Sequence, residues 1–303
     1  MRLFYSDTFS FPLPPGHRFP LRKYSLLRER LLSSHLADPD DFQIPEPASD
    51  AQILRVHSRE YLEKVTQGTL DERQVRRIGL PWSPELVVRS RHSVGGTIAS
   101  ARAALQNGIA VNLAGGTHHA HRDYGSGFCV FNDVAVATRQ LQHDRMLERI
   151  LVIDCDVHQG DGTAAIFEED PTVFTFSIHC QSNFPFRKTC SDLDIGLEAR
   201  SGDAAYLSAL QDALHSILKN GFDLVFYLGG ADPYQNDAFG HLALTKDGLL
   251  KRDRMVFDAC LLKRLPVAVV LAGGYAPDLE DVLDIHQNTI EQALAFERAW
   301  NTG

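Results

Sequence analysis

A three-layer α/β fold with a mainly parallel central sheet is predicted for this chain by two observations. Short, continuous apolar runs alternate with longer segments of helical period, and the major apolar runs lead into glycine-rich or polar motifs. Unbroken apolarity marks parallel strands covered on both faces. Strand–helix alternation places helices on both sides of such a sheet.

In chain order, strands are expected over residues 3–5, 109–113, 150–155, 173–178, 224–228 and 267–271. Helices are expected over 22–35, 84–106, 132–143, 204–219 and 247–263. The stretch FPLPPGHRFP and the segment 38–50 read as surface loops, because proline, glycine and charge interrupt both periods. There is no repeat, low-complexity tract or linker, so residues 1–303 are expected to form one catalytic domain.

The formal net charge of −9 disfavours direct, non-specific nucleic-acid binding and suits a cationic substrate. The N-terminus MRLFYSDTFS has no signal-peptide pattern, and the longest apolar run (residues 267–272) is far short of a membrane span. A cytoplasmic protein is the expectation. Five cysteines without a CxxC pair argue for reduced thiols and against cysteine-ligated metal.

Ligands in parallel α/β sheets bind beyond the carboxyl ends of strands. There the chain carries AGGTHHAH after 109–113, DCDVHQGDG after 150–153, SIHC after 173–176, GGADPY after 224–228 and AGGY after 267–271. In DCDVHQGDG, Asp154, Asp156 and His158 would share one face if the segment stays extended. Asp156 and His158 then form a ligand pair that Asp232, leaving another strand through Gly-Gly, can complete. Two carboxylates and one imidazole leave coordination positions open, as in a catalytic site. This donor set suits Zn2+ and would also take Fe2+ or Co2+.

A lone DxH is more often a set of loop hydrogen bonds than a metal site. The neighbouring motifs reverse that weighting. His118 and His119 can transfer protons if each has a carboxylate partner, and Asp154 and Asp161 are the candidates. Tyr275 follows Gly-Gly and can donate to a developing oxyanion. Phe128 is either a core residue or the wall of an apolar channel, with the Gly127 carbonyl beside it.

GGTHHA, GFCVFNDVAVA, IDCDVHQGDGT, SIHC, GGADPY and AGGY, in this order and spacing, resemble the histone deacetylase family. FPLPPGHRFPLRKYSLLRERL and NFPFRK resemble its bacterial and class IV members. The resemblance implies an arginase/deacetylase-like fold and zinc-dependent hydrolysis of acyl-lysine or related acyl-amine bonds, releasing acetate or a longer acid. It implies Asp156, His158 and Asp232 as zinc ligands, and His119 with Asp161 as general base and acid. His118 with Asp154 would be the electrostatic pair, and Tyr275 the group polarising the carbonyl. Gly127 and Phe128 would line the acyl-lysine channel, Phe184 its opposite wall and Phe239 its rim. Arg22 would be a basic residue of an interior product channel. The resemblance further implies a potassium site at Asp154, Asp156 and His158 with backbone oxygens near Ser177 and Ile178, and a second near Phe167 and Val173.

Three rivals define the contrast. A binuclear manganese ureohydrolase needs an aspartate where this chain has Gly160, and a DxDxxDP run where it has GGADPY. A non-catalytic acyl-lysine binding protein would lack a ligand or the tyrosine, and neither is missing. An acetylpolyamine deacylase is expected to carry an acidic rim residue near the position of Phe239.

Overall fold

The apolar runs assemble into one eight-stranded sheet in the computed structural model of the chain, which describes residues 1–302. The strands are β1 (Arg2–Phe4), β2 (Phe42–Gln43), β3 (Ile109–Asn112), β4 (Ile150–Asp154), β5 (Val173–Cys180), β6 (Leu193–Leu197), β7 (Leu224–Leu228) and β8 (Val267–Val270). Their order is β2-β1-β3-β8-β7-β4-β5-β6, with every neighbouring pair parallel. The central strands β3, β4, β7 and β8 are buried at every residue, which accounts for their unbroken apolarity.

The pleat sends alternate side chains to opposite layers. Val111, Ile153, Val225, Tyr227, Val267 and Val269 pack into a core with α1 (Lys23–Ser33), α8 (Asp203–Ile217), α9 (Lys246–Leu262) and α10 (Leu279–Thr302). Ala110, Val152, Phe226, Leu228, Ala268 and Val270 pack on the other face. The helices there are α2 (Asp50–Ile53), α3 (Arg59–Gln67), α4 (Glu72–Ile78), α5 (Pro84–Asn107), α6 (Asp133–His143) and α7 (Asp161–Phe167). No helix of the described residues is long and apolar enough to cross a membrane.

Helix ends follow local chemistry. Ser83 caps α5 by accepting from the Leu86 N–H, with Pro84 at the first helical position, and Gly108 (φ 86°) ends the helix in the left-handed region. Asn132 caps α6 through the Ala135 N–H. The expected five helices and six strands are all present. Two short strands, β2 and β6, and five helices, α2, α3, α4, α7 and α10, are additional. The structure also corrects one boundary: SIHC does not follow its strand but lies inside β5, where residues 177–180 pair with β6.

His57, between α2 and α3, ties the two layers of loops together. Its Nε2 accepts from the Asn132 N–H at 2.9 Å, so Nδ1 carries the proton donated to the His121 carbonyl at 3.0 Å. A second proton on this ring would face an N–H donor. Burial pushes its pKa down to about 4. Between about pH 6.5 and 4 the unfolded chain takes up a proton that the folded site refuses, so stability falls as pH falls through that window, by up to about 3 kcal/mol at its lower end. Urea midpoints measured from pH 7 to 4.5 are therefore expected to drop less steeply in His57→Gln than in the parent. Equal slopes would remove His57 from the acid response.

Candidate metal centre and catalytic site

The DCDVHQGDG segment does not stay extended. Strand β4 stops at Asp154, and two carboxylates wind the chain that follows. The Asp156 N–H donates to Asp154 Oδ1 (3.1 Å), and the His158 N–H donates to Asp156 Oδ1 (2.9 Å). These are Asx-type turns, in which a side chain replaces a ladder partner. They achieve by winding the convergence that the extended segment was expected to give.

Ligand atoms of Asp156, His158 and Asp232 all lie within 4.8 Å of one another. His158 Nδ1 is 2.9 Å from Asp156 Oδ1 and 3.3 Å from Asp232 Oδ2. The other carboxylate oxygens are fixed by backbone: Asp232 Oδ1 accepts from the Val157 N–H at 3.0 Å, and Asp156 Oδ2 from the Gly273 N–H at 2.9 Å. Asp232 Oδ2 is buried and makes no hydrogen bond. Burial, with the nearby charge of Asp156, pushes Asp232 up to about 7. Burial opposes charge on His158, yet its hydrogen bond to Asp156 and the adjacent carboxylate of Asp232 lift it to about 10. Two buried carboxylates, one with an orphaned oxygen, form a cradle that a divalent cation would neutralise. Gly273 leaves room for it, since a Cβ there would come within 1.9 Å of Asp232 Oδ2.

A buried ion pair holds the Gly-Gly turn that delivers Asp232. On α9, Arg252 Nε donates to Asp253 Oδ1 (2.8 Å) and Arg252 Nη1 to the Gly230 carbonyl (2.5 Å). Asp253 also accepts from Tyr227 and Thr289 hydroxyls.

His118 and His119 stand side by side, ring centroids 4.1 Å apart. His118 Nδ1 is 2.6 Å from Asp154 Oδ2, and His119 Nδ1 is 2.6 Å from Asp161 Oδ1. Both partners match the sequence expectation. Burial opposes protonation of His118, but Asp154 and Asp156 outweigh it and raise the group to about 9. Burial and the adjacent His118 lower His119 to about 4. The two neighbouring imidazoles are thus pushed in opposite directions, His118 up and His119 down. The loop bearing them is fastened from α6: Asp133 accepts from the Gly116 and Thr117 N–H groups, and Asn132 Nδ2 donates to the Ala120 carbonyl. Gly160 sits so close to Asp154 that a Cβ would lie 2.4 Å from Asp154 Oδ2. The aspartate a binuclear site would need at residue 160 has no space.

Above these groups opens a cavity of about 760 Å³ whose wall includes Gly127, Phe128, Phe184, Phe239 and Tyr275. Phe128 is a cavity residue, and it and Gly127 both take positive φ. A Cβ on Gly127 would lie 2.6 Å from His119 Cδ2, so glycine is what allows the channel loop to approach the imidazole. Phe184 meets His119 edge-on at 4.9 Å. The Tyr275 ring lies 5.1 Å from Phe239 and 5.8 Å from Phe128. Burial and the charges of Asp156 and Asp232 push its phenol up, so it stays protonated. Asp154 and Ser177 are register partners, so Ser177 and Ile178, inside β5, lie beside the end of β4 from which Asp154, Asp156 and His158 follow.

One expected residue is displaced. Arg22 is the N-cap of α1 and does not line the cavity. Its neighbour Lys23 points inward instead, 2% exposed, with Nζ donating to the Ala272 carbonyl at 3.1 Å and 5.3 Å from the Tyr275 ring. Two adjacent basic residues give no period with which to choose between them; only the phase of α1 does. Asp237 and His121 were also unassigned. Asp237 accepts from the N–H groups of Tyr275 (2.6 Å), Phe239 (2.8 Å) and Gly240 (2.9 Å), joining the tyrosine loop to the rim. His121 Nε2 is 3.0 Å from Asp161 Oδ2, so Asp161 lies between two imidazoles.

The sheet and this site define an α/β protein with a buried carboxylate–imidazole centre of hydrolase type. A sequence model of the histone deacetylase domain matches residues 17–290. An uncharacterized Picosynechococcus protein is 47% identical over 93% of this chain and 94% of its own length. The acetoin utilization protein AcuC of Staphylococcus aureus is 30% identical over 81% of this chain and 69% of its own. The crystal structure of an HDAC homologue from Aquifex aeolicus superposes with a TM-score of 0.82 at 22% identity, covering 98% of this chain and 88% of that one. The chain belongs to the histone deacetylase family. That membership makes it a deacetylase-type hydrolase with the arginase/deacetylase-like fold.

Proposed function

We propose that this protein hydrolyses acyl-lysine amides at a zinc ion held by Asp156, His158 and Asp232, releasing a free lysine and a carboxylic acid. The observation that carries the proposal is the cradle of Asp156, His158 and Asp232, one Asp232 oxygen of which has no hydrogen bond, together with the two histidine–aspartate pairs His118–Asp154 and His119–Asp161. When bound, the ion would act as a Lewis acid toward the amide carbonyl and acidify water. The neutral His119, its Nδ1–H given to Asp161, offers Nε2 as the base that takes a proton from the attacking water. The water oxygen bonds to the carbonyl carbon, and the Tyr275 hydroxyl donates to the oxygen that becomes an anion. His118, with Nδ1 2.6 Å from Asp154 Oδ2, would supply positive charge near that developing anion. His119 then returns its proton to the nitrogen as the C–N bond breaks. A potassium ion at Asp154, Asp156 and His158, with backbone oxygens near Ser177 and Ile178, would support the centre without entering a step. Free cysteines at all five positions fit a reducing compartment, the cytoplasm.

The test is a screen of acetyl-lysine and longer acyl-lysine peptides against acetylated polyamines, with zinc-loaded and chelator-treated protein. Hydrolysis of an acyl-lysine peptide that chelation abolishes and zinc restores is the expected result. Preference for a polyamine would replace the substrate; full activity after metal removal would overturn the mechanism.

A further inference from the structure

We propose that the mouth of the cavity selects acyl-lysines flanked by acidic residues, an inference that rests on the acyl-lysine reading above. The chain carries a net charge of −9, yet the cavity wall is basic. Its only carboxylate is Asp156, committed to the metal cradle, whereas Arg18, Arg77 and Arg89 all contribute to it. Arg89 is buried and donates to the Ser6 hydroxyl at 2.6 Å. Arg18 and Arg77 are exposed, and neither forms an ion pair among the described residues.

Both exposed guanidinium groups rest on aromatic rings. The Arg18 Cζ lies 4.9 Å from the centroid of Phe239, and the Arg77 Cζ 4.4 Å from that of Tyr124. A guanidinium stacked this way is held in place while the N–H donors in its plane remain available. Arg77 is also tied to the channel by its backbone, since its carbonyl accepts from the Gly127 N–H at 3.1 Å. The two cations therefore stand beside the walls that guide an acyl-lysine inward, where the residues before and after that lysine must pass. Phe186, 87% exposed and also part of the cavity wall, offers those residues an apolar contact. Carboxylates match this rim through bidentate pairing with arginine. A polyamine brings its remaining ammonium groups to the same place and meets like charge. The local field, not the net charge of the chain, governs which substrate is drawn in.

The experiment compares kcat/KM for two acyl-lysine peptides identical except for glutamate or lysine on both sides of the modified residue. The glutamate peptide is expected to be better by roughly 10-fold at low ionic strength, the scale of two exposed pairs, with the gap closing at about 0.5 M salt. In the double variant Arg18→Glu, Arg77→Glu the ratio should invert; in Arg18→Gln, Arg77→Gln it should approach one. The ratio is the readout, and thermal melting with hydroxamate binding confirms that each variant is folded with an intact centre. Equal rates on both peptides, or a preference for lysine flanks or an acetylpolyamine, would overturn the acidic-flank proposal while leaving the amidase reading standing. Failure to hydrolyse any acyl-lysine peptide would sink both.

Discussion

His158→Ala is expected to leave the protein folded but without its metal and without measurable deacylase activity. The loss should exceed the roughly 10–100-fold that follows removal of a residue merely supporting a ligand. The imidazole supplies the one nitrogen of the cradle and lies between Asp156 and Asp232. Without it the two buried carboxylates face each other, and burial with mutual repulsion favours a shared proton over a shared cation. Metal content after dialysis against excess zinc, measured with kcat/KM on the same preparation, checks both halves. A metal-free variant retaining parental turnover would show that the chemistry lies elsewhere.

Tyr275→Phe should give the opposite combination, with metal retained and turnover lowered by about 10²–10³-fold, the scale of losing one oxyanion donor. The phenol is kept protonated by burial and by Asp156 and Asp232, so a donor is what the substitution removes. Ring packing against Phe128 and Phe239 survives in phenylalanine, and the loop stays fastened through the Tyr275 N–H to Asp237. The deficit should therefore appear in kcat, with KM and hydroxamate affinity close to parental. An unchanged kcat would exclude the tyrosine from the chemistry.

The candidate site residues were legible because their motifs follow the ends of buried strands, and there a polar side chain needs a reason. Asp154, Asp156, His158, His118, His119 and Asp161 meet in the expected pairs. The central strands were legible because burial on both faces leaves no alternation. The edge strand β6, LDIGL, does alternate, but over five residues with Asp194 and Gly196 at its outer positions, and α7 has seven residues and begins inside DCDVHQGDG, so both are too short to stand out from the loops around them. Helix α10 is a different kind of omission: Val282, Ile285, Thr289, Ala293 and Phe296 do fall on one face, but charged residues dilute the stripe. Lys23 instead of Arg22, and the three-way grip of Asp237, depend on helix phase and loop path, which single residues do not encode.

The loops of the candidate site are gripped from behind. Asp133 and Asn132 hold the histidine loop, Arg252 and Asp253 the turn of Asp232, and Asp237 the tyrosine loop, while Arg18, Arg77 and Phe186 at the mouth carry none of that support by their side chains. The scaffold is thus separable from the substrate port. Directed libraries at 18, 77 and 186 can redraw what the protein accepts without re-engineering how it cuts, whereas randomising 133, 237 or 253 would dismantle the machine to change its door.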